Sequence, residues 1–188
     1  MIGGLVLAAG AGERFGGRKQ LAELEGRPLL EHVLSAMAAS PVDRMVVVLG
    51  AHADEVREQV PLHGAEPVVC EAWEQGIGTS VAAGVEALAE CEAIVIAVGD
   101  QPRLAPEAVA RVLEARAGDA LAVRALYGCV PGHPVVIERG LFGRLRELHG
   151  DEGARVFLGD IPVREVACDG LGAPDDVDTP EALRRVAE

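Results

Sequence analysis

The chain alternates between two kinds of apolar patterning. Segments 2–9 (IGGLVLAA), 44–50 (RMVVVLG), 66–70 (EPVVC) and 93–100 (AIVIAVGD) are short, almost continuous apolar runs that end at glycine or a polar residue. They read as strands buried on both faces. Between them lie helical spacings. Segment 27–40 (RPLLEHVLSAMAAS) puts Leu29, Leu30, Val33, Leu34 and Met37 on one face. Segment 52–60 reads as a short polar helix. Segment 80–90 reads as a helix with Thr79 or Ser80 as its N-cap. Segment 104–118 reads as a helix with Pro106 near its start and Gly118 at its end. Strands alternating with helices predict a parallel sheet covered on both faces, with right-handed crossovers.

After residue 120 the rhythm loosens. Segments 121–127, 133–138 and 162–168 read as strands. Segments 140–150, 151–159 and 179–188 read as helices, the last capped by Thr179. The expectation is one three-layer α/β domain, residues 1–188, whose last third adds strands to the same sheet. Ligands of such sheets bind beyond the carboxyl ends of the strands. Loops 8–19, 71–80 and 99–103 fall there, and they hold the least ordinary residues of the chain.

Composition narrows the classes. A formal net charge of −13 argues against nucleic acid or anionic lipid as partner, though clustered cations can still hold a small phosphorylated ligand. No apolar run reaches the ~18 residues of a membrane span, and the apolar start lacks a cationic leader, so a cytoplasmic location is the expectation. Cys70, Cys91, Cys129 and Cys168 form no CxxC pair, which argues against a zinc cluster or redox dithiol; Cys70 and Cys91 adjoin apolar runs and read as core residues.

Loop 7–19 reads LAAGAGERFGGRK. Its glycines permit φ > 0 and let backbone N–H groups turn inward, while Arg14, Arg18 and Lys19 add positive charge, a combination suited to polyphosphate. Gly10, Gly12 and Gly16 are spaced one residue too widely for a dinucleotide GxGxxG. Gly17-Arg18-Lys19-Gln20 does not meet the Gly-Lys-Ser/Thr of a P-loop. Loop 71–80 (EAWEQGIGTS) offers Gly76 and Gly78 for close backbone approach and Ser80 at a helix start; it reads either as a capped turn or as an anion-facing site. Asp100, just past a buried strand, is either a turn residue bonding its own backbone or a metal ligand. Asp176 and Asp178 precede the last helix, where an acid also suits the helix start. His133 is either a turn histidine or a pocket residue, Asp151 either a helix cap or a ligand contact, and Arg155 either a solvated cation or an anion partner.

The motif L-A-A-G-x-x-x-R-x-G-x-x-K, carried by Leu7, Ala8, Ala9, Gly10, Arg14, Gly16 and Lys19, resembles the first signature of the nucleotidyltransferase superfamily related to the molybdenum-cofactor guanylyl- and cytidylyltransferases. The likeness continues in W-x-x-G-I around Trp73, in Asp100-Gln101-Pro102, and in Asp176-Val177-Asp178-Thr179-Pro180-Glu181. Gly12 departs from the serine common in the family, and Glu71 from asparagine. The resemblance implies a Rossmann-like nucleotidyltransferase fold with a nucleotide-binding half (1–103) and an acceptor-binding half (104–188). It implies Lys19, Arg14 and Asp100 as catalytic residues, and nucleotide contacts from Leu7, Ala8, Ala9, Gly10, Gly12, Lys19, Gly76, Gly78 and Ser80. It further implies Mg²⁺ on Asp100 and Asp178, the latter favoured over Asp176.

Gly132-His133-Pro134-Val135 and Gly150-Asp151-Glu152-Gly153-Ala154-Arg155 resemble segments of the cytidylyltransferase branch that flank the pterin pocket, which implies His133, Asp151 and Arg155 as acceptor contacts. LAAG and Pro28-Leu29-Leu30 resemble the cytidylyl rather than the guanylyl form. The expected reaction is CMP transfer from CTP to molybdenum-molybdopterin with release of pyrophosphate, with a recipient molybdoenzyme downstream. A GTP-using or sugar-phosphate transferase of the same superfamily, and a non-catalytic cofactor-binding or insertion protein, are the alternatives.

Overall fold

The computed structural model describes residues 1–116, 120–150, 154–159 and 161–188, and for 154–156 the backbone alone. Strand β1 (Ile2–Ala8) is followed by a minimal hairpin, β2 (Glu23–Leu24) and β3 (Arg27–Pro28), and helix α1 (Leu29–Ala38). The chain continues through β4 (Arg44–Leu49), α2 (Ala53–Gln59), β5 (Glu66–Val69), α3 (Ile77–Ala87), β6 (Ala93–Val98) and α4 (Pro106–Glu114). It closes with β7 (Ala122–Tyr127), β8 (Val130–Glu138), α5 (Phe142–Arg146), α6 (Ala154–Gly159), β9 (Arg164–Ala167) and α7 (Pro180–Ala187).

Seven strands form one sheet in the order β5-β4-β1-β6-β8-β7-β9. The pairs β4–β5, β1–β4, β1–β6 and β7–β9 are parallel; β6–β8 and β7–β8 are antiparallel. The strands of the last third thus join the sheet begun by the first two thirds, as the pattern predicts. Successive residues of β1 face opposite layers. Val6 and Ala8 pack with α1, α2 and α4; Leu5 and Leu7 pack with α3, α5 and the Phe157–Leu158 end of α6. All five predicted core residues of α1 are fully buried.

Two local expectations are corrected. Strand β5, expected to be buried on both faces, is an edge strand with Glu66, Pro67 and Val69 exposed. Helix α3 starts at Ile77, so Thr79 and Ser80 lie within its first turn rather than capping it. The cap position is Gly76 at φ 111°, and Thr79 Oγ1 donates back to the Gly76 and Ala72 carbonyls at 2.8 and 3.1 Å. Thr179 does cap α7, accepting from Ala182 N at 3.2 Å. Gly118, expected to end α4, lies outside the described residues.

Candidate active site

The three carboxyl-end loops converge. Loop 8–19 leaves β1, turns at Gly12 (φ 70°) and reverses through Gly16 and Gly17, both at positive φ. At Gly12 a side chain is excluded twice: the φ is left-handed, and a Cβ would stand 2.9 Å from that of Lys19. The loop is closed by bonds from Phe15 N and Gly17 N to the Gly12 carbonyl, each 2.9 Å. This compact turn delivers Lys19 to the mouth of the sheet.

There the Lys19 ammonium donates to Asp100 Oδ2 at 2.7 Å and to Asp178 Oδ1 at 2.9 Å. Asp178, 159 positions from Lys19, is brought in by a return of the chain: Val177 N donates to the Asp100 carbonyl at 2.9 Å. Arg14 holds the other oxygen, Asp178 Oδ2, at 2.8 Å. Burial opposes the Lys19 charge, but the attraction of Asp100 and the bonds to both carboxylates outweigh it and raise its pKa. Burial likewise opposes ionisation of Asp178, yet Lys19 and then Arg14 carry its pKa below the usual carboxylate range.

Asp176 sits differently. It accepts from Gln101 Nε2 at 2.8 Å. Burial, opposed by that bond and reinforced by Asp100 and Asp178, pushes its carboxyl up. Geometry therefore pairs Asp178, and not Asp176, with Lys19 and Asp100. Arg18, the third cation of the loop, instead meets Glu55 of α2 at 3.1 Å.

Two cavities meet at this cluster, and Asp100 lines both. The first, about 370 Å³, is bordered by Leu7, Ala8, Ala9, Gly10, Gly12, Lys19, Gly76 and Ser80, all expected from the sequence, and by Gln20, Trp73 and Ile77. Gly78 is the exception. It faces the chain at His149, where a Cβ would stand 2.7 Å from the backbone nitrogen, and its N–H donates to the Gly150 carbonyl at 2.9 Å. Its role is close packing of α3 against that turn.

The second cavity, about 950 Å³, is bordered by Arg14, Gln101, Arg124, His133, Asp176 and Asp178. Burial lowers the pKa of His133 against the opposing pull of Asp100, so the ring is neutral near neutral pH. Asp151 lies outside the described residues, as does the side chain of Arg155. Arg124 and Gln20 were missed by sequence reading. Arg124 sits within strand β7, where an arginine carries no signal of its own; Gln20 adjoins the more conspicuous Lys19.

Asp100 Oδ1 is buried without a hydrogen-bond partner. Such an orphaned carboxylate oxygen, beside a second carboxylate, fits a hard divalent cation that draws its remaining ligands from phosphate and water. Among the described residues no cluster of three or more carboxylates, histidines or cysteines forms a metal cage.

A doubly covered sheet with a glycine-rich cationic loop at its carboxyl edge, a lysine bridging two aspartates and a pocket on either side defines an α/β nucleotidyltransferase. The MobA-like NTP transferase domain matches residues 4–166, and the chain belongs to that family. It is 35% identical to nicotine blue oxidoreductase of Paenarthrobacter nicotinovorans over 98% of this chain and 96% of that protein. It is 30% identical to 2-C-methyl-D-erythritol 4-phosphate cytidylyltransferase of Dehalococcoides mccartyi, over 97% and 83%. Among solved structures, Rv0371c of Mycobacterium tuberculosis H37Rv superposes with a TM-score of 0.87 at 35% identity, covering 99% of this chain and 96% of that one. The same protein has been solved as a complex with manganese. No helix among the described residues is long and apolar enough to cross a membrane.

Proposed function

We propose that the protein transfers CMP from CTP to the terminal phosphate of molybdenum-molybdopterin, releasing pyrophosphate, with Mg²⁺ held by Asp100 and Asp178. The observation that carries this reading is the position of the Lys19 ammonium, 2.7 and 2.9 Å from two carboxylates at the junction of the two cavities. In this reading the smaller cavity takes the nucleotide and the larger one the acceptor, which assigns the two halves of the chain their roles.

The chemistry brings an anionic nucleophile to an anionic α-phosphorus. The chain's task is to neutralise charge and align the two groups. Lys19 and Arg14 hold the triphosphate and stabilise charge that develops on its oxygens. The N–H groups of loop 8–19 and Ser80 line the nucleotide side; His133, and in this reading Asp151 and Arg155, face the acceptor. The nucleophilic phosphate is already ionised near neutral pH, so no side chain has to remove a proton, in keeping with a neutral His133. When bound, Mg²⁺ supplies further neutralisation of the phosphate oxygens. CTP is supported by LAAG at residues 7–10, by Pro28-Leu29-Leu30 and by the likeness to a cytidylyltransferase.

The first test is thermal stabilisation by CTP, GTP, ATP and UTP, each with and without Mg²⁺. A nucleotide at about a hundred times its Kd adds roughly 2.7 kcal/mol. Selective, Mg²⁺-dependent stabilisation by CTP, followed by CMP transfer to molybdopterin, is expected. Preference for GTP moves the enzyme to the guanylyl branch. Transfer to a sugar phosphate but not to molybdopterin overturns the acceptor, and no shift with any nucleotide overturns the reading.

A second reading is favoured by one finding, the 35% identity over nearly full length to a protein named an oxidoreductase. It predicts oxidation or reduction of an added dye, with a separate electron acceptor or donor supplied. Dye turnover without nucleotidyl transfer would establish it.

A further inference from the structure

Gln20 is a polar side chain that the reaction leaves without a task, yet it is only 5% exposed and borders the smaller cavity. Its Nε2 donates twice, to the Ala8 carbonyl at 2.9 Å and to the Gly10 carbonyl at 2.7 Å. Both partners are acceptors, so the nitrogen end of the amide must face them. The other end, Oε1, is then buried with no partner. An orphaned acceptor is costly, and it persists here because the donor end is committed to the loop.

The consequence lies in what the cavity wall offers. The Ala9 carbonyl accepts from Ala51 N at 3.0 Å, and the Leu7 carbonyl from Gly99 N at 2.8 Å. With Gln20 on its two neighbours, every carbonyl from Leu7 to Gly10 is engaged inside the chain. The N–H groups of Gly10 and Gly12, both of which border the cavity, meet no acceptor among the described residues. This stretch of wall therefore presents donors. The pairing edge of cytosine carries two adjacent acceptors, O2 and N3. That of guanine carries one acceptor, O6, beside two adjacent donors, N1–H and N2–H, and those two would face donors and stay unpaired.

We infer that Gln20 is a positioning residue: by holding the Ala8 and Gly10 carbonyls it keeps the loop's N–H groups turned to the base and sets selectivity for cytosine over guanine. The inference rests on the proposed nucleotide site and adds the residue that shapes it.

Two variants of similar volume test it. Gln20→Met keeps the buried stem and removes the donor; Gln20→Glu places oxygen against the two carbonyls. The first readout needs no nucleotide. In the ligand-free protein, the amide NMR signals of Gly10, Ala11 and Gly12 should move in both variants, while those of Leu5 and Val6 hold. The second uses the fluorescence of Trp73, the chain's single tryptophan and part of the same cavity wall. CTP affinity should fall about tenfold, the scale of one or two lost hydrogen bonds. GTP affinity should change less, so the preference shrinks. Unmoved amides with an unchanged CTP-to-GTP ratio in folded variants would overturn the inference. Wild-type protein that prefers GTP overturns the cytosine assignment, and wild-type protein that binds no nucleotide overturns the proposed function. In both cases the amide signals still report whether Gln20 holds the loop.

Discussion

At the residue scale, the site is organised by one ammonium between two carboxylates. Lys19 is 15% exposed at its side chain, and its removal leaves Asp100 and Asp178 facing each other as like charges. Lys19→Met is therefore expected to cut turnover about a hundredfold to a thousandfold, the scale of losing a preorganised charge contact. The same variant should bind Mn²⁺ more tightly than wild type in the absence of nucleotide, because the competing ammonium is gone; titration calorimetry checks this, and unchanged Mn²⁺ affinity would separate Lys19 from the metal site. A second prediction concerns Tyr127, the chain's only tyrosine, whose hydroxyl donates to the His133 carbonyl at 3.0 Å. Burial, with a smaller push from Cys168, raises its phenol to about 12. The folded chain then holds this proton more tightly than the unfolded chain, whose tyrosine titrates near pH ~10. Its contribution to stability is complete below pH ~10 and is lost as pH rises from there toward 12. Tyrosinate absorbance should appear only at that higher pH in folded protein and near the ordinary value after denaturation. Lys19, Arg14 and Asp100 were legible in sequence because charge after an apolar run or within a glycine loop needs a reason. Gln20 was not, since an uncharged polar residue beside a lysine stands out only once its hydrogen bonds are known.

At the scale of elements, apolar runs located the central strands β4, β1 and β6, because strands buried on both faces have no polar face to blur the pattern; the edge strands β5 and β9 are largely exposed and were legible from their place in the alternation instead. The hairpin β2–β3 escaped, its four residues being too few to show a period. The start of α3 was placed too late because Thr79 and Ser80 look like caps, whereas the helix begins after a glycine at φ 111°. That helix packs unusually close to the sheet. A Cβ at Gly84 would stand 2.3 and 2.8 Å from the two Leu5 methyl carbons and 3.1 Å from Val48 Cγ2. Gly→Ala inside a helix ordinarily gains about 1 kcal/mol. Here overpacking, worth about 1–3 kcal/mol, opposes that gain and outweighs it. Gly84→Ala should lower the melting temperature. Gly143→Ala, on α5 with nothing within 4 Å of the added carbon, should raise it or leave it unchanged. Thermal denaturation of the pair separates packing from propensity, and equal shifts would refute the close approach of α3.

At the scale of the whole molecule, the assignment of a nucleotide half and an acceptor half divides roles, and the sheet runs across that division. Strands β5, β4, β1 and β6 come from the first half and β8, β7 and β9 from the second, joined where β6 pairs with β8 from Ala93–Glu138 to Ile96–Val135. The chain then returns: Ala173 N donates to the Arg103 carbonyl at 3.2 Å, Leu104 bridges Gly172, and Val177 N reaches the Asp100 carbonyl at 2.9 Å. The second carboxylate of the site is thus supplied to the first half by the last segment of the second, so the site exists only when both are folded. Residues of β6 and β8 also share both core layers, Ala93, Val95 and Val136 in one and Ile94, Ile96, Val135 and Ile137 in the other. Separating the halves would expose both layers at once. The chain is therefore expected to unfold in a single cooperative step, with an enthalpy on the order of 130 kcal/mol near 60 °C from the usual ~0.7 kcal/mol per residue over 188 residues. Trp73 reports from the first half and Tyr127 from the second, so fluorescence, tyrosine absorbance and far-ultraviolet circular dichroism follow both. Coincident midpoints with equal calorimetric and van't Hoff enthalpies would make the two halves one folding unit. A tryptophan transition resolved from the tyrosine transition would make them two, and the Lys19–Asp178 bridge would then have to form after each had folded.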